Sequence, residues 1–266
     1  GVQGTAFLIA REAGSDSGFA RISDASFALR RQFGDTGITF SADSGELWRG
    51  DNRRYAELLP GGPKERYPVR SFALSADRRV GPVDASVGAS LVSEDESVLG
   101  ALFAPVFGMR GAETLFLDAS AGYEFAGSWR LGAAWRQGLT SVRSAGLVAA
   151  GSRFASNGWT IDITRYGAVI PGDSLGLRLS QPLRVTGGGI GLELPVAYDY
   201  ATLTPSFGTR FMPLAPSGRE IDAELAWRGP LWGGHAGASV FYRTDPGHYA
   251  ALPDDKGVAL RWSREF

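Results

Sequence analysis

A period-two alternation of apolar and polar residues, sustained over one segment after another, constrains this chain more than any other feature. From Leu115 to Phe125 one face reads Leu115, Leu117, Ala119, Ala121, Tyr123 and Phe125, and the other reads Phe116, Asp118, Ser120, Gly122 and Glu124. After Ala126-Gly127-Ser128 the pattern resumes, with Trp129, Leu131, Ala133 and Trp135 alternating with Arg130, Gly132, Ala134 and Arg136. Leu175 to Leu179, Ile190 to Tyr198 and Ile221 to Trp227 repeat it. Successive strand side chains point to opposite faces, so extended chain turns such a pattern into two coherent surfaces. Helical periodicity is weak; its best candidate, Tyr55 to Leu59, sits inside a loop. The chain therefore reads as all-β.

The polar face decides which kind of β protein to expect. A soluble sandwich turns its polar face to water, usually rich in Lys, Thr and Glu. Here Lys occurs only at Lys64 and Lys256, so nearly all of the 27 basic residues are Arg. The polar face mixes Gly, Ala and Ser with Arg, Asp and Glu, which suits a crowded, wet interior. The apolar face carries Tyr123, Trp129, Tyr198, Trp227, Tyr242 and Trp262 near segment ends. Aromatics there match the interfacial girdles of membrane barrels, and segments of about 9 to 13 residues match a tilted spanning strand. The expectation is a transmembrane antiparallel up-and-down β-barrel of 12–14 strands, integral to the bacterial outer membrane and in contact with its lipids and lipopolysaccharide. A water-soluble all-β domain is the alternative.

Composition narrows the function. The 266 residues carry a net charge of −1, so no basic field recruits nucleic acid. An apolar fraction of 44% is too high for a disordered chain. No stretch offers the roughly 18 to 20 apolar residues of a membrane helix. With no Cys and only His235 and His248, disulfide frameworks, thiolate metal sites and His-rich centres are excluded, and no cofactor or metal is expected. The chain opens on Gly1 without a signal-peptide pattern, which reads as a mature chain or excised domain.

Candidate strands lie near 3–12, 20–33, 36–43, 67–79, 82–93, 113–126, 128–140, 157–166, 173–185, 189–200, 206–214, 219–228, 234–244 and 256–266. Short connections such as Gly34-Asp35-Thr36 and Val80-Gly81-Pro82 alternate with long ones such as Ala42 to Arg66 and Glu94 to Ala112. Short periplasmic turns and long outer loops are the pattern of bacterial barrels, placing both termini in the periplasm. Thr186 to Gly188 would be an exceptionally short outer loop. Residues 1–35 read either as first strands or as a linker partly in the lumen, with 36–266 as the barrel. If the first thirty-odd residues are a linker or plug, twelve strands remain. The apolar run Val98 to Met109, broken by Gly100, Pro105 and Gly108, reads as a loop folding onto the barrel mouth or into the lumen, with lipid or partner contact as the alternative.

The last segment places Val258, Leu260, Trp262 and Phe266 on one face and ends on Phe. It resembles the β-signal of outer-membrane proteins, an apolar edge strand offered as a template to the barrel-assembly machinery. Further runs carry a family resemblance. They are Leu117-Asp118, Gly122-Tyr123-Glu124, Leu131-Gly132 and Arg136-Gln137-Gly138-Leu139-Thr140, then Ser180-Gln181-Pro182-Leu183-Arg184, then Leu214 to Asp222. Over roughly residues 67–266 the chain resembles autotransporter translocator barrels, most closely those behind subtilisin-like serine peptidase domains. The resemblance implies a type V secretion translocator: a monomeric twelve-stranded barrel with a linker helix threading the lumen. It anchors and exports its own N-terminal passenger, a peptidase not contained in these residues.

In such a barrel Arg130, Arg136, Arg178, Arg184 and Arg261, with Asp118, Glu124, Glu193, Asp222 and Glu224, are expected to form a luminal charge network. Arg suits this, because its planar fork stays charged and binds carboxylates in bidentate fashion. Gly122, Gly132, Ala134 and Gly138 either leave room for a threaded chain or serve strand curvature and close stacking. Three rival readings are weighed. A porin would use the Arg lining for anions. An enzyme would need His248 among Asp245, Asp254 and Asp255, more readily a solvated loop histidine. An adhesive barrel would act through the Val98–Met109 loop. Deleting Phe266 is expected to lower the amount of protein in the outer membrane; unchanged levels in a membrane-fraction blot would count against the β-signal.

Overall fold

A computed structural model describes residues 6–15, 19, 21–47, 67–143 and 145–264. Twelve strands form one antiparallel sheet. They are β1 (Arg21–Phe33), β2 (Thr36–Leu47), β3 (Pro68–Val80), β4 (Val83–Glu94), β5 (Ala112–Phe125), β6 (Trp129–Val142), β7 (Arg153–Tyr166), β8 (Ser174–Asp199), β9 (Thr204–Pro213), β10 (Ile221–Leu231), β11 (Gly234–Thr244) and β12 (Asp255–Ser263). Each strand pairs with its sequence neighbour, except that β8 pairs with both β9 and β10. No helix of the described residues is long and apolar enough to cross a membrane, which says nothing about strands.

Two corrections bring fourteen candidates to twelve. Residues 6–12 of the first candidate are not a strand; they lead into a 3-10 turn at Ala13–Ser15. The amides of Leu8, Ile9 and Ala10 are taken by a side chain of the sheet, as described below. The candidates 173–185 and 189–200 are one 26-residue strand, β8, so Thr186 to Gly188 is not a loop. The glycines there misled: Gly188 has φ +89 and lies 2.5 Å from the Arg153 carbonyl at its Cβ position, so it serves a close strand-to-strand approach. The tyrosine-bearing stretch near Tyr55 and the terminal Phe266 lie outside the described residues.

The long strand reshapes one end of the sheet. β7 begins at Arg153, opposite Gly189. Beyond that point β8 continues to Asp199 and returns as β9, paired from Gly189↔Pro213 to Asp199↔Thr204. At roughly 3.3 Å per residue this hairpin projects about 33 Å past β7. β10 then pairs with the lower part of β8, from Asp222↔Ser180 to Arg228↔Ser174.

Burial is inverted relative to a water-soluble domain. On the apolar face Trp135 is 44% exposed, Leu179 43% and Leu260 79%, while on the polar face Glu224 is 0% and Arg178 4% exposed. Ser71, Thr114, Thr140, Thr160, Ser180, Asp222 and Ser239 are likewise buried. The apolar core proper is confined to the end with the long connections. There Val98, Ala112, Val142, Val148, Phe154, Ile190 and Leu192 cluster, with Leu99, Phe103, Phe107 and Met109 packed against them. The run Val98 to Met109 thus folds onto the sheet. Residues 147–149 join the base of the projecting hairpin through Glu193 N–H to the Leu147 carbonyl (2.8 Å) and Ala149 N–H to the Gly191 carbonyl (2.8 Å).

Glu94, fully buried at the end of β4, organises that loop. Its carboxylate accepts hydrogen bonds from the amides of Leu99 and Gly100, both 2.8 Å, and from the Ser97 hydroxyl. Glu94→Ala leaves the buried Ser97 hydroxyl and the partly buried amides of Leu99 and Gly100 without this partner, at up to about 1–3 kcal/mol for a fully buried group. Limited proteolysis is expected to cut between residues 97 and 111 faster in this variant than in the parent.

Candidate functional site

The buried charges of the polar face are held in pairs across strands. Asp118 and Arg136 are direct cross-strand partners and bond in bidentate fashion, at 2.6 and 2.9 Å, with the guanidinium 4.7 Å above the Phe116 ring. Arg178 faces Asp162 on one side and Glu224 on the other. It bonds Asp162 at 2.8 Å. Asp222 faces Arg243, which bonds it at 2.7 Å and reaches Glu220 at 3.1 Å. Opposite charges facing each other across strands give the sheet register as well as compensation.

Other pairs skip a strand. Arg130 on β6 bonds Asp84 on β4 at 2.6 and 2.8 Å, over the intervening β5. It crosses at Gly122, where a Cβ would lie 2.0 Å from the Arg130 Nη2. Arg30 on β1 reaches Asp77 on β3 in the same way across Gly37, with the same 2.0 Å clearance. At Gly132 a Cβ would meet the Asp162 carboxylate at 2.8 Å, and at Gly138 the Phe116 ring at 2.9 Å. These glycines are windows through which side chains lie flat on the sheet. That is the close-stacking alternative for Gly122, Gly132 and Gly138, not a clearance for a separate chain.

A segment of the chain itself occupies the polar face. The carboxylate of Glu224 accepts hydrogen bonds from three consecutive amides, those of Leu8 (2.8 Å), Ile9 (3.1 Å) and Ala10 (2.6 Å). Arg178 donates to the Ala10 carbonyl at 3.1 Å and stacks 4.0 Å from the Phe7 ring. Thr160 accepts from the Ala13 amide at 2.9 Å. The Phe7 ring packs under Arg178 and the Leu8 side chain lies 3.6 Å from the Gly237 Cβ position, while the bonds from Glu224, Arg178 and Thr160 are to main chain. The segment borders hollows lined by β3, β4, β5 and β6 near Glu12 and Gly14, and by β10, β11 and β12 near Phe7 and Leu8. A single segment can touch strands so far apart in the sheet order only because the sheet curls around it.

The remaining expected residues lie elsewhere. Glu124, near the short turn, bonds Arg79 at 2.8 Å and approaches Arg130 at 3.6 Å. Among the described residues Arg184 joins no carboxylate; it donates to the carbonyls of Pro216 (2.8 Å) and Gly218 (2.9 Å), securing the loop before β10. Glu193 lies on the projecting hairpin and accepts from Thr209 at 2.5 Å. Arg261 borders the hollow beside Phe7 and Leu8. Val258, Leu260 and Trp262 share the exposed apolar face of β12.

His248 is not a solvated loop residue. It is 8% exposed, its Nδ1 accepts from the Glu220 amide at 2.9 Å, and its Nε2 lies 3.2 Å from the Leu183 carbonyl. It pins the 245–254 loop to β8 and the start of β10. Burial pushes the Glu220 carboxyl up from its ordinary range, and the nearby Asp222 charge adds to this against the pull of the Gly247 amide and Arg243. One cation here, Arg243, serves Glu220 and Asp222 closely and reaches Asp255 at 4.0 Å. Among the described residues no group of three His, Asp or Glu side chains is placed to hold a metal ion.

Asp84, Asp162, Thr160 and Arg243 went unnamed among the expected residues, though each falls on the polar phase of its strand. The signal that finds them is the pairing register. The berth of residues 7–13 has no comparable signal, because its bonds are to main chain. No family model and no curated protein matches this chain.

Because Gly122 is a window for Arg130, Gly122→Val is expected to sever the Arg130–Asp84 pair. In thermal unfolding followed by circular dichroism, Gly122→Val and Asp84→Ala should each lower the midpoint. The double variant should be well short of the sum, since both remove one interaction. Full additivity would refute the window.

Proposed function

We propose that this chain is a barrel of the bacterial outer membrane that anchors and translocates an N-terminal passenger. The observation that carries the reading is the inversion of the sheet: bare Leu, Phe and Trp on one face, and buried, mutually compensated charges on the other. Lipid accepts the first face at no cost, and no soluble environment does so for a sheet of this extent. Tyr123, Phe125 and Trp129 stack at 5.8 and 6.3 Å beside the turn 126–128, as a girdle at one interface requires. Long connections at one end and short turns at the other support an outer and a periplasmic side.

Export, rather than passive permeation, is favoured by what fills the interior. A polypeptide segment lies there, held through its main chain by Glu224, Arg178 and Thr160. Main-chain recognition tolerates many sequences, which suits a conduit for polypeptide. The resemblance to translocator barrels behind serine peptidases points the same way and suggests the passenger class. No part of that peptidase chemistry belongs to these residues.

The test is the size of the native gene product. Outer membranes of the source cells are blotted with antibody to this barrel, with and without boiling. A precursor far larger than 28.3 kDa, and a band that shifts on boiling, are the expected results. A precursor consisting of this barrel and a signal peptide alone would overturn the translocator reading and leave a channel. Absence of the chain from the membrane fraction would overturn the membrane reading itself.

A further inference from the structure

The sheet has unlike ends to its count. β9 pairs only with the projecting part of β8, so the wall proper is the run β1 to β8 followed by β10, β11 and β12. That is an odd number of strands in a strictly antiparallel order. β1 runs from the long-connection end down to the turn Gly34-Asp35, and β12 runs from the 245–254 loop down to Ser263, opposite His235. The two edge strands therefore point the same way. Among the described residues no pairing joins them, and both edges are bare: residues 23–33 are exposed throughout, and in β12 only Gly257 and Ala259 are partly covered. Antiparallel closure needs one more strand, running upward between β12 and β1.

The segment inside the sheet runs in that direction. Phe7 lies against Gly176, two residues from the lower end of β8. Ala10 lies one step higher, at Arg178 and Glu224, and Ala13 higher again, at Thr160. Phe19 reaches Gly100 in the upper loop, just before β1 begins. The segment thus climbs from the short-turn end to the long-connection end, antiparallel to both open edges and immediately ahead of β1.

Resting on the barrel reading above, we propose that Ala6–Glu12, which is not a strand in its place on the polar face, has a second state in which it enters the wall and pairs with both open edges. Its place on the polar face is the berth it occupies before that entry. The amides of Leu8, Ile9 and Ala10 leave the Glu224 carboxylate for edge carbonyls of β1 and β12, which otherwise lack ladder partners. Arg178 stands opposite Glu224 in the register without an ion pair to it, so the freed carboxylate and the guanidinium that held the Ala10 carbonyl are left for water or for another main chain in the vacated berth. The vacated berth then offers its main-chain partners to a different stretch of polypeptide passing through the barrel. Wall closure and access to the interior become one event.

The chain has no Cys, so disulfide trapping meets no background. Leu260 faces away from the interior and is 79% exposed, so a cysteine there cannot meet the segment in its inner berth. Cysteines at Ala6, Phe7, Leu8, Ile9 and Ala10, one at a time, are combined with Leu260→Cys in the folded, detergent-solubilised full chain. Neighbouring strands bring such pairs within disulfide range. Leu8→Cys with Gly237→Cys reports the inner berth, since the Gly237 Cβ position is 3.6 Å from the Leu8 side chain.

The expected result is that at least one Leu260 pair closes in most molecules while the boiling-dependent gel shift is kept. Closure of the Gly237 pair alone, with every Leu260 pair remaining reduced, would overturn the proposal. Removal of residues 1–12 gives an independent readout. Loss of the compact, boiling-sensitive form is expected; a compact barrel that survives with raised conductance in planar bilayers would mean the segment is only a plug. A chain that closes a Leu260 pair yet fails to enter lipid vesicles would sink the membrane reading and leave the wall strand standing.

Discussion

Every other feature of this sheet depends on one constraint, the burial of charge on its polar face. Breaking a buried ion pair by removing one partner costs about 3–5 kcal/mol, because the remaining charge is left uncompensated. Each buried cation here therefore comes with its carboxylate, and the pairs fix which strand residues stand opposite one another. Arg178 opposite both Asp162 and Glu224, Arg136 opposite Asp118 and Arg243 opposite Asp222 leave little freedom of register. The scarcity of Lys follows from the same need. A planar fork can lie flat across a glycine and still grip a carboxylate two strands away, as Arg130 does over Gly122.

A second device recurs wherever irregular backbone meets the sheet. A buried carboxylate gathers consecutive amides that have no ladder partner. Glu94 takes those of Leu99 and Gly100, Glu224 those of Leu8, Ile9 and Ala10. Asp173 takes those of Ala168, Val169 and Ile170 together with the Trp227 indole N–H. In Asp173 these bonds outweigh the opposing effect of burial and hold the carboxyl below its usual range. Buried backbone donors must be paired, and a carboxylate can serve several at once. The loops thereby become parts of the sheet's polar face rather than appendages to it.

Strand identity and facing were legible because alternation is a local property: Leu115 to Trp135 announces both faces without reference to any other part of the chain. Strand number was not legible, for two different reasons. Gly187 and Gly188 look like a turn, yet in β8 they serve a bulge and a close approach, a distinction that depends on Arg153 and Phe154 some thirty residues earlier. Ala6 to Glu12 has the composition of a strand, and its position is decided by Glu224, more than two hundred residues away. The charge network was half legible for the same reason. Asp118 and Arg136 lie in one hairpin, whereas the partnership of Arg130 with Asp84 needs the stacking order of three strands. Glu193 belongs to the part of the long strand that has left the wall, while Arg184 stays in the wall opposite Asn157 but turns to the carbonyls of the loop before β10.

Parity links these observations. A sheet can close with antiparallel pairing throughout only when its edges oppose, and the last ten residues of β8 and all of β9 lie outside the wall, leaving a sum that is odd. The proposed upward strand restores the opposition and is adjacent in sequence to the edge it would complete. The main-chain berth on Glu224 and Arg178 holds that segment in the correct direction inside the sheet, two strands from the β12 edge, so entry into the wall requires translation and no reversal. On the outer-membrane reading proposed above, a sheet that buries charge inside and leaves its seam to the last strand has a natural order of events: polypeptide occupies the interior while the wall is open, and the interior is released when the wall is complete.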